Sequence, residues 1–550
     1  MPPAARIAAA IVAFALTFAA AASAHANDLV RPKRLDVAPP GYRMTPNQAT
    51  AVADRVPKVI AVRRSYPESF SNVFEKSGSR WQVSYYSDAK SPKEIAQVYV
   101  ADDTGRATEA WTGFKVAWTM ARGYGGAFGR KVNSPWVWIA LTILFVVPFV
   151  DPRRPFRMRH LDLLVLSAFG ISVAFFNDAQ ITVSVPLAYP LLAYLLGRML
   201  WIGLRRGREP DPLRLLVPAS WLAIGLVFLI GFRIGLNVAN SNVIDVGYAG
   251  VIGADRMTHG ERVYGNFPAD NPHGDTYGPI AYAAYVPFEQ IWPWSGTWND
   301  LPAAHGAAVV FDLLCMGLLL LIGWRLRGPP LGIVLAYAWA AYPFTLYAMN
   351  CNVNDALVGA LVLAAIAAAA KPGRRGLFVA LAGMAKFAPL GLAPLMATHT
   401  RGVRRYTLGL VAGLAACAAL IAAYGGPHAF FDRTLGFQAQ RDSPFSIWGL
   451  YGWNVAQGVV QVLTVALAVA VAFLPRRRDL VGLCALSAAV LIALQLGVTH
   501  WFYLYLVWFF PLVMIALLCQ RSVTAPTTEP AAAGSPSLAV AAARSGSARP

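Results

Sequence analysis

The feature that most constrains this chain is a series of long, nearly uncharged apolar runs separated by short clusters of Lys and Arg. A helix needs about 20 apolar residues to cross a bilayer core. Runs of that kind stand at about 135–150, 161–177, 181–204, 213–235, 303–324, 330–349, 355–370, 406–424, 450–474, 479–497 and 501–518, so the reading is about eleven spans. Composition agrees: 57% of the 550 residues are hydrophobic and 14% charged, where a soluble domain carries about 25% charged residues. The net charge of +19 resides in the clusters between runs, as in the inner loops of membrane proteins. No basic patch interleaves with aromatics on a soluble segment, which argues against nucleic acid.

The first 26 residues read as a signal peptide, with Arg6 as the positive end, an apolar stretch from Ile7 to Ala22, and Ala24-His25-Ala26 as the cleavage pattern. An uncleaved anchor is the alternative. Either way the chain emerges outside at residue 27. The basic clusters then fall on one side: Arg153, Arg154, Arg157 and Arg159; Arg205, Arg206 and Arg208; Arg325 and Arg327; Lys371, Arg374 and Arg375; Arg401, Arg404 and Arg405; Arg476, Arg477 and Arg478. This holds only if the apolar stretch 376–398 enters and leaves by the same face. Its 23 residues are too few for two spans, so it reads as two half-length helices meeting near Lys386-Phe387-Ala388-Pro389, where the proline interrupts the ladder. One ordinary span with an inverted basic flank is the alternative.

Residues 27–133 read as a small α+β extracytoplasmic segment: a helix capped by Thr45 with Pro46 in its first turn, strands at Trp81–Tyr86 and Ile95–Val100, a turn at Asp102-Asp103-Thr104-Gly105 and a further short strand. Helix then hairpin, with Trp81 in the strand, resembles PepSY-type domains, which implies a binding or regulatory accessory. Residues 134–212 read as accessory membrane helices, 213–520 as the membrane core and 521–550, rich in Ala, Ser, Thr and Pro, as a disordered cytoplasmic tail. Of the five cysteines (Cys315, Cys351, Cys417, Cys484, Cys519), four lie inside apolar runs, with no disulfide or zinc spacing.

Chemistry concentrates in the outer loop 236–302, which holds seven acids (Asp245, Asp255, Glu261, Asp270, Asp275, Glu289, Asp300) against Arg256 and Arg262. Asp245 follows the fourth span closely, at the start of a helix expected to run to His259 and end at Gly260. A partly desolvated carboxylate there suits a general base acting on a hydroxyl. A helix cap or a solvated loop acid is the other reading. Asp255 and His259 lie one turn apart, but too few ligands are visible for a metal site.

The order Asp245, Tyr248, Gly260-Glu261-Arg262-Val263-Tyr264, Tyr277-Gly278-Pro279-Ile280 resembles the first outer loop of GT-C-fold glycosyltransferases, most of all family 87, the polyprenyl-phosphomannose-dependent mannosyltransferases. Gly278 stands where the first proline of that family's Y-P-P element is usual. Asn352-Val353-Asn354-Asp355, Gly383-Met384-Ala385-Lys386-Phe387-Ala388-Pro389, Arg441-Asp442-Ser443-Pro444-Phe445-Ser446 and His500-Trp501-Phe502-Tyr503 extend the resemblance over roughly 215–520.

The resemblance implies a mainly α, polytopic GT-C-like fold with a half-helix hairpin. It also implies a metal-independent, inverting sugar transferase of the cell envelope with its active site on the extracytoplasmic face of the plasma membrane. A polyprenyl-phosphate sugar, mannose in most of the family, is the donor, and a glycolipid or glycan is the acceptor. Asp245 is then the base. Arg441, His500, Lys386 and Arg256 are candidates for the departing phosphate, and Tyr248, Asp255, His259, Tyr264, Tyr277, Asn354, Asp355 and Asp442 for substrate contacts.

Each has a plainer reading. Arg441 and Lys386 could snorkel, His500 could be an interfacial ring, Asp355 could cap a helix, and Asp442 could pair with Arg441. Two other functions compete. A lipid-linked-glycan flippase would place ionisable groups at the midplane and often shows inverted repeats; no repeat is visible. A non-catalytic scaffold, binding a partner through residues 27–133, would leave Asp245 dispensable.

Overall fold

The computed structural model describes residues 29–76, 78–90, 92–123, 128–205, 213–474, 478–519 and 523–524. The expected leader over 1–26 and all of the expected tail but 523–524 lie outside the described residues.

The N-terminal segment opens with α1 (Pro46–Asp54), whose start is the expected one: Thr45 and Gln48 form a reciprocal capping box and Pro46 occupies the first turn. After α2 (Pro57–Ser65), four antiparallel strands follow in sequence order: β1 (Phe70–Lys76), β2 (Arg80–Tyr86), β3 (Glu94–Ala101) and β4 (Arg106–Thr112). β2, β3 and β4 match the three expected strands; β1 was not anticipated. Its side chains are partly buried throughout, with Val73 alone fully inside, so it lacks the alternation that marks a half-buried strand. Trp81 is fully buried and donates through Nε1 to Asp102 Oδ1 at 2.9 Å. Asp102 also accepts from the Arg43 and Met44 amides, which ties the turn to the chain entering α1.

The remainder is helical: α3 (Pro135–Val146), α4 (Met158–Asn177), α5 (Ile181–Leu204), α6 (Ala219–Ala239), α7 (Asp245–Thr258), α8 (Pro302–Arg327), α9 (Pro329–Ala341), α10 (Pro343–Asn350), α11 (Asp355–Ala367), α12 (Pro372–Ala385), α13 (Val403–Ala423), α14 (Asn454–Phe473), α15 (Leu480–Gly497) and α16 (Leu506–Leu518), joined by shorter pieces. Among the described residues, seven of these are long and apolar enough to cross a membrane: α4, α5, α6, α8, α13, α14 and α15. The expected spans at 135–150, 355–370 and 501–518 are shorter apolar helices. α15 and α16 form the interior, whereas α6, α13 and α14 expose apolar faces that include Phe228, Val411 and Val462. Such faces suit lipid contact.

The stretch expected to be one span at 330–349 is instead two helices, α9 and α10, bent by 59°. Pro343 cannot donate to the preceding turn, so the carbonyls there need other partners. Thr345 Oγ1 donates to Trp339 O at 2.6 Å, and Arg233 Nη1 from α6 donates to Ala340 O at 3.0 Å. Arg233 is itself fully buried and paired with Asp312 of α8 at 2.5 Å, with Trp339 Nε1 on the same carboxylate at 2.8 Å. This network repairs the break inside an apolar core.

The hairpin reading of 376–398 agrees with the packing. α12 and α13 lie side by side and run parallel. A Cβ on Gly376 would meet Tyr406 O at 2.2 Å, one on Gly409 would meet Gly373 O at 2.0 Å, and one on Gly413 would meet Ala380 Cβ at 2.7 Å. Two parallel neighbours start at the same face, so the chain between them, 386–402, must return there. α12 ends at Ala385, Lys386 is its extended C-cap, and a 3-10 turn over Ala388–Leu392 and a short helix over Ala393–Ala397 lead back. The break falls where Pro389 was expected to place it.

Candidate active site

Asp245 owes its position to a turn a hundred residues later in the chain. Asn352 adopts φ +52°, a left-handed conformation that Asn tolerates. Its side chain bonds Ser241 Oγ, Asn242 O and the Asn237 amide. The Asn242 and Ile244 amides donate to Asn350 O and Cys351 O, both at 3.2 Å. A Cβ on Gly247 would stand 2.1 Å from Asn352 O, so the first turn of α7 sits directly on this loop. α7 starts at Asp245 with Ile244 as its N-cap and closes before Gly260, whose φ is +69°, as expected. Asp245 is thus a first-turn residue of the helix and not its cap.

The Asp245 side chain is accessible, yet many protein atoms surround it. Burial raises its carboxyl above the ordinary carboxylate range. The Val246 N–H and the charges of Arg441 and Lys386 pull it back down, and Asp355 pushes it up. These three charged residues, from separate segments, therefore lie within electrostatic reach of Asp245.

Lys386 Nζ pairs with Asp355 Oδ1 at 2.7 Å, and Trp508 Nε1 donates to the same oxygen at 2.8 Å. The rings of Tyr277, Tyr505 and Trp508 surround the ammonium at 5.4–5.5 Å. Asp355 is not the helix cap, a place taken by Asn354. Its Oδ2 is buried without a partner, as are both polar atoms of the Asn354 side chain. Unpaired buried polar atoms are costly and are what a hydroxyl-rich ligand or water would satisfy.

Arg441 lies between the Trp118 ring at 5.2 Å and the Phe437 ring at 5.7 Å. It has no ion pair among the described residues, and Asp442 beside it is exposed. The reading that these two simply pair does not hold. His500 packs against the same Trp118 ring in a tilted contact at 5.5 Å and meets Phe445 edge-on at 5.5 Å, with Nδ1 2.9 Å from Ser443 Oγ. Burial, followed by the Arg441 and Lys386 charges, holds its pKa well below the ordinary histidine value. The ring is therefore neutral near pH 7 and can meet a phosphate only as a hydrogen-bonding group.

Asp245, Tyr277, Asn354, Asp355, Lys386, Arg441 and His500 thus form one constellation. The other candidates lie apart. Arg256 sits at the far end of α7 in an ion pair with Glu261. His259 Nδ1 meets Asp255 Oδ1 at 3.4 Å on the same end. Tyr248 is buried with its hydroxyl on Asp270 Oδ2 at 3.2 Å, and Tyr264 supports the loop by donating to Tyr277 O at 3.2 Å. Among the described residues no group of three or more His, Cys, Asp or Glu could hold a metal.

Three aromatic residues that pack against this constellation escaped sequence reasoning. Tyr505 and Trp508 are hidden in an apolar run rich in aromatics. Trp118 comes from the N-terminal segment, which is not detached: Gly129 N and Lys131 N donate to Asn242 and Asn240, and Lys115 Nζ to Ala179 O.

The Asp245 carboxyl, raised above its ordinary range, thus lies with two cations from separate segments beside an assembly of apolar helices. Residues 276–497 match the model of glycosyltransferase family 87. Together with the membrane-length helices, that match supports a membrane glycosyltransferase. The matched range contains Tyr277, Asn354, Asp355, Lys386 and Arg441, and excludes Asp245 and His500. No curated protein matches the chain.

Proposed function

We propose that this protein transfers a sugar, mannose by its family resemblance, from a polyprenyl-phosphate donor to an extracytoplasmic glycolipid or glycan, with inversion and with Asp245 as general base. The observation that carries the reading is the Asp245 carboxyl, raised by burial and lying within the fields of Arg441 and Lys386. A base needs a pKa nearer neutrality than an ordinary aspartate has, and a departing phosphate needs fixed positive charge.

In this mechanism Asp245 takes the proton of the acceptor hydroxyl. The hydroxyl oxygen attacks the anomeric carbon, and the bond from that carbon to the phosphate oxygen breaks. Polyprenyl phosphate leaves with the electron pair, beside Lys386 and Arg441. Asn354 and the free oxygen of Asp355 are suited to sugar hydroxyls. The residue 27–133 segment borders the site through Trp118, which favours an accessory role in substrate positioning over a detached scaffold.

The test is Asp245→Asn in nanodiscs, assayed with a polyprenyl-phosphate sugar. Transfer is expected to fall at least about 1000-fold with insertion and fold unchanged, a loss typical of removing a principal catalytic group. Transfer at the wild-type rate would remove Asp245 from the mechanism.

A further inference from the structure

At the face opposite Lys386, α12 and α13 begin side by side, and neither start is capped by a side chain. The first N–H groups of a helix are unpaired, and the macrodipole makes that end positive. Two such ends open on one cavity of about 630 Å³, with Pro372 of α12 on one wall and Thr400, Arg401, Gly402, Arg404 and Arg405 on the other. Gly402 has φ +108°, and a Cβ there would meet Pro372 Cγ at 3.2 Å, so the two starts are in contact. Lys371 and Arg374 stand at the same edge and are exposed.

The charge is uncompensated. The chain carries no Asp or Glu between Asp355 and Asp432, and none of these cations has an ion pair among the described residues. Ordinary positive loops are solvated surface charge, but Arg375 is different: it is fully buried. Its Nη1 donates to Ala369 O and, at the cavity wall, to Thr400 Oγ1 at 3.0 Å, and its guanidinium lies over the Tyr406 ring at 5.5 Å, while its Nε and Nη2 are buried with no hydrogen-bond partner. A buried guanidinium with idle donors is costly unless an acceptor reaches it.

We propose that this cavity is a phosphate-binding site, independent of the transfer reaction. Helix starts plus arginines are the usual cradle for a phosphoryl group. The group could belong to an anionic lipid headgroup, held between helices at the membrane surface, or to free phosphate.

The experiment is native mass spectrometry of the full-length protein with phosphatidylglycerol or phosphatidylcholine, in the presence and absence of inorganic phosphate. It compares wild type, Arg401→Gln/Arg405→Gln, and Arg153→Gln/Arg154→Gln as a charge-matched control. Arg401 and Arg405 are exposed, so their loss leaves the packing intact. The proposal requires phosphatidylglycerol adducts to exceed phosphatidylcholine adducts and to fall about tenfold in the first variant only. Adducts that survive inorganic phosphate assign the site to a lipid headgroup, and adducts displaced by it assign the site to free phosphate. Equal binding of the two lipids, or equal adducts in all three proteins, overturns the proposal. Because no readout is sugar transfer, either outcome leaves the catalytic reading untouched.

Discussion

Replacing Lys386 by Met should expose how the buried pair behind Asp245 is balanced. Lys386 is 8% exposed and Asp355 is fully buried, 2.7 Å away. At an effective dielectric of about 20, two charges at that separation attract by about 6 kcal/mol, most of which is offset by removing both from water. Deleting the lysine leaves the carboxylate with one donor, Trp508 Nε1, and an unpaired Oδ2. The expected loss is about 3–5 kcal/mol, a factor of roughly 150 to 5,000 in the folded/unfolded ratio. Asp355→Asn should cost less, because the ammonium keeps three aromatic faces, each worth about 0.5–2 kcal/mol. The double variant should recover most of the loss, since removing both charges is often neutral. Reversible unfolding in bicelles by steric trapping, without substrate, gives the cycle. A Lys386→Met variant as stable as wild type, or a coupling below about 0.5 kcal/mol, would refute the reasoning.

Further outcomes follow from the same geometry. The pH profile of transfer should rise with pH, with its acid limb above the ordinary carboxylate range, because the base must ionise and burial raises its pKa. The same shift makes the folded state lose stability as pH climbs from the ordinary range through the raised value, since the unfolded chain ionises first; Asp245→Asn should abolish that slope in unfolding measurements. Trp118→Ala should raise the donor KM about 2–30-fold, the range of one cation–π contact, with a smaller change in kcat. Trp118→Phe should restore much of it, and steady-state kinetics would show a merely structural role as an equal loss in both. Gly278→Ala should cost about 1–3 kcal/mol, measured by the same unfolding assay, because its Cβ would lie 2.0 Å from Met384 O.

The N-terminal strands show how uneven legibility was. β2 could be read because Trp81-Gln82-Val83-Ser84-Tyr85 alternates apolar and polar residues, and β3 because Ile95–Val100 is rich in β-branched and aromatic residues, whereas β1 carries no such pattern. In the membrane, Pro389 and the charge ledger together located the hairpin break, but the 59° bend at Tyr342 was missed. Pro343 by itself only permits a break; Arg233 and Asp312, buried in runs that read as plain spans, make it tolerable. At the candidate site, Asp245 was legible as the first acid after the fourth span, Lys386 as a charge inside an apolar stretch, and Arg441 and His500 through the family resemblance. Arg256 was equally legible through the resemblance, yet it sits at the wrong end of α7.

The sequence by itself determined which segments are apolar, that a helix starts at Asp245 and closes before Gly260, and which few ionisable residues could do chemistry. These are local properties: hydropathy, caps and helix breakers act within one or two turns. Only the tertiary structure decided which of those residues meet. Arg441 and His500 each lie more than 300 residues beyond Trp118 in the chain, yet both meet its indole ring. Asp355 and Lys386 pair across a turn of the fold, and two helix starts 31 residues apart open on one basic cavity. Contacts of that kind are selected by packing and electrostatics acting between distant segments, and no short stretch of sequence carries their signature.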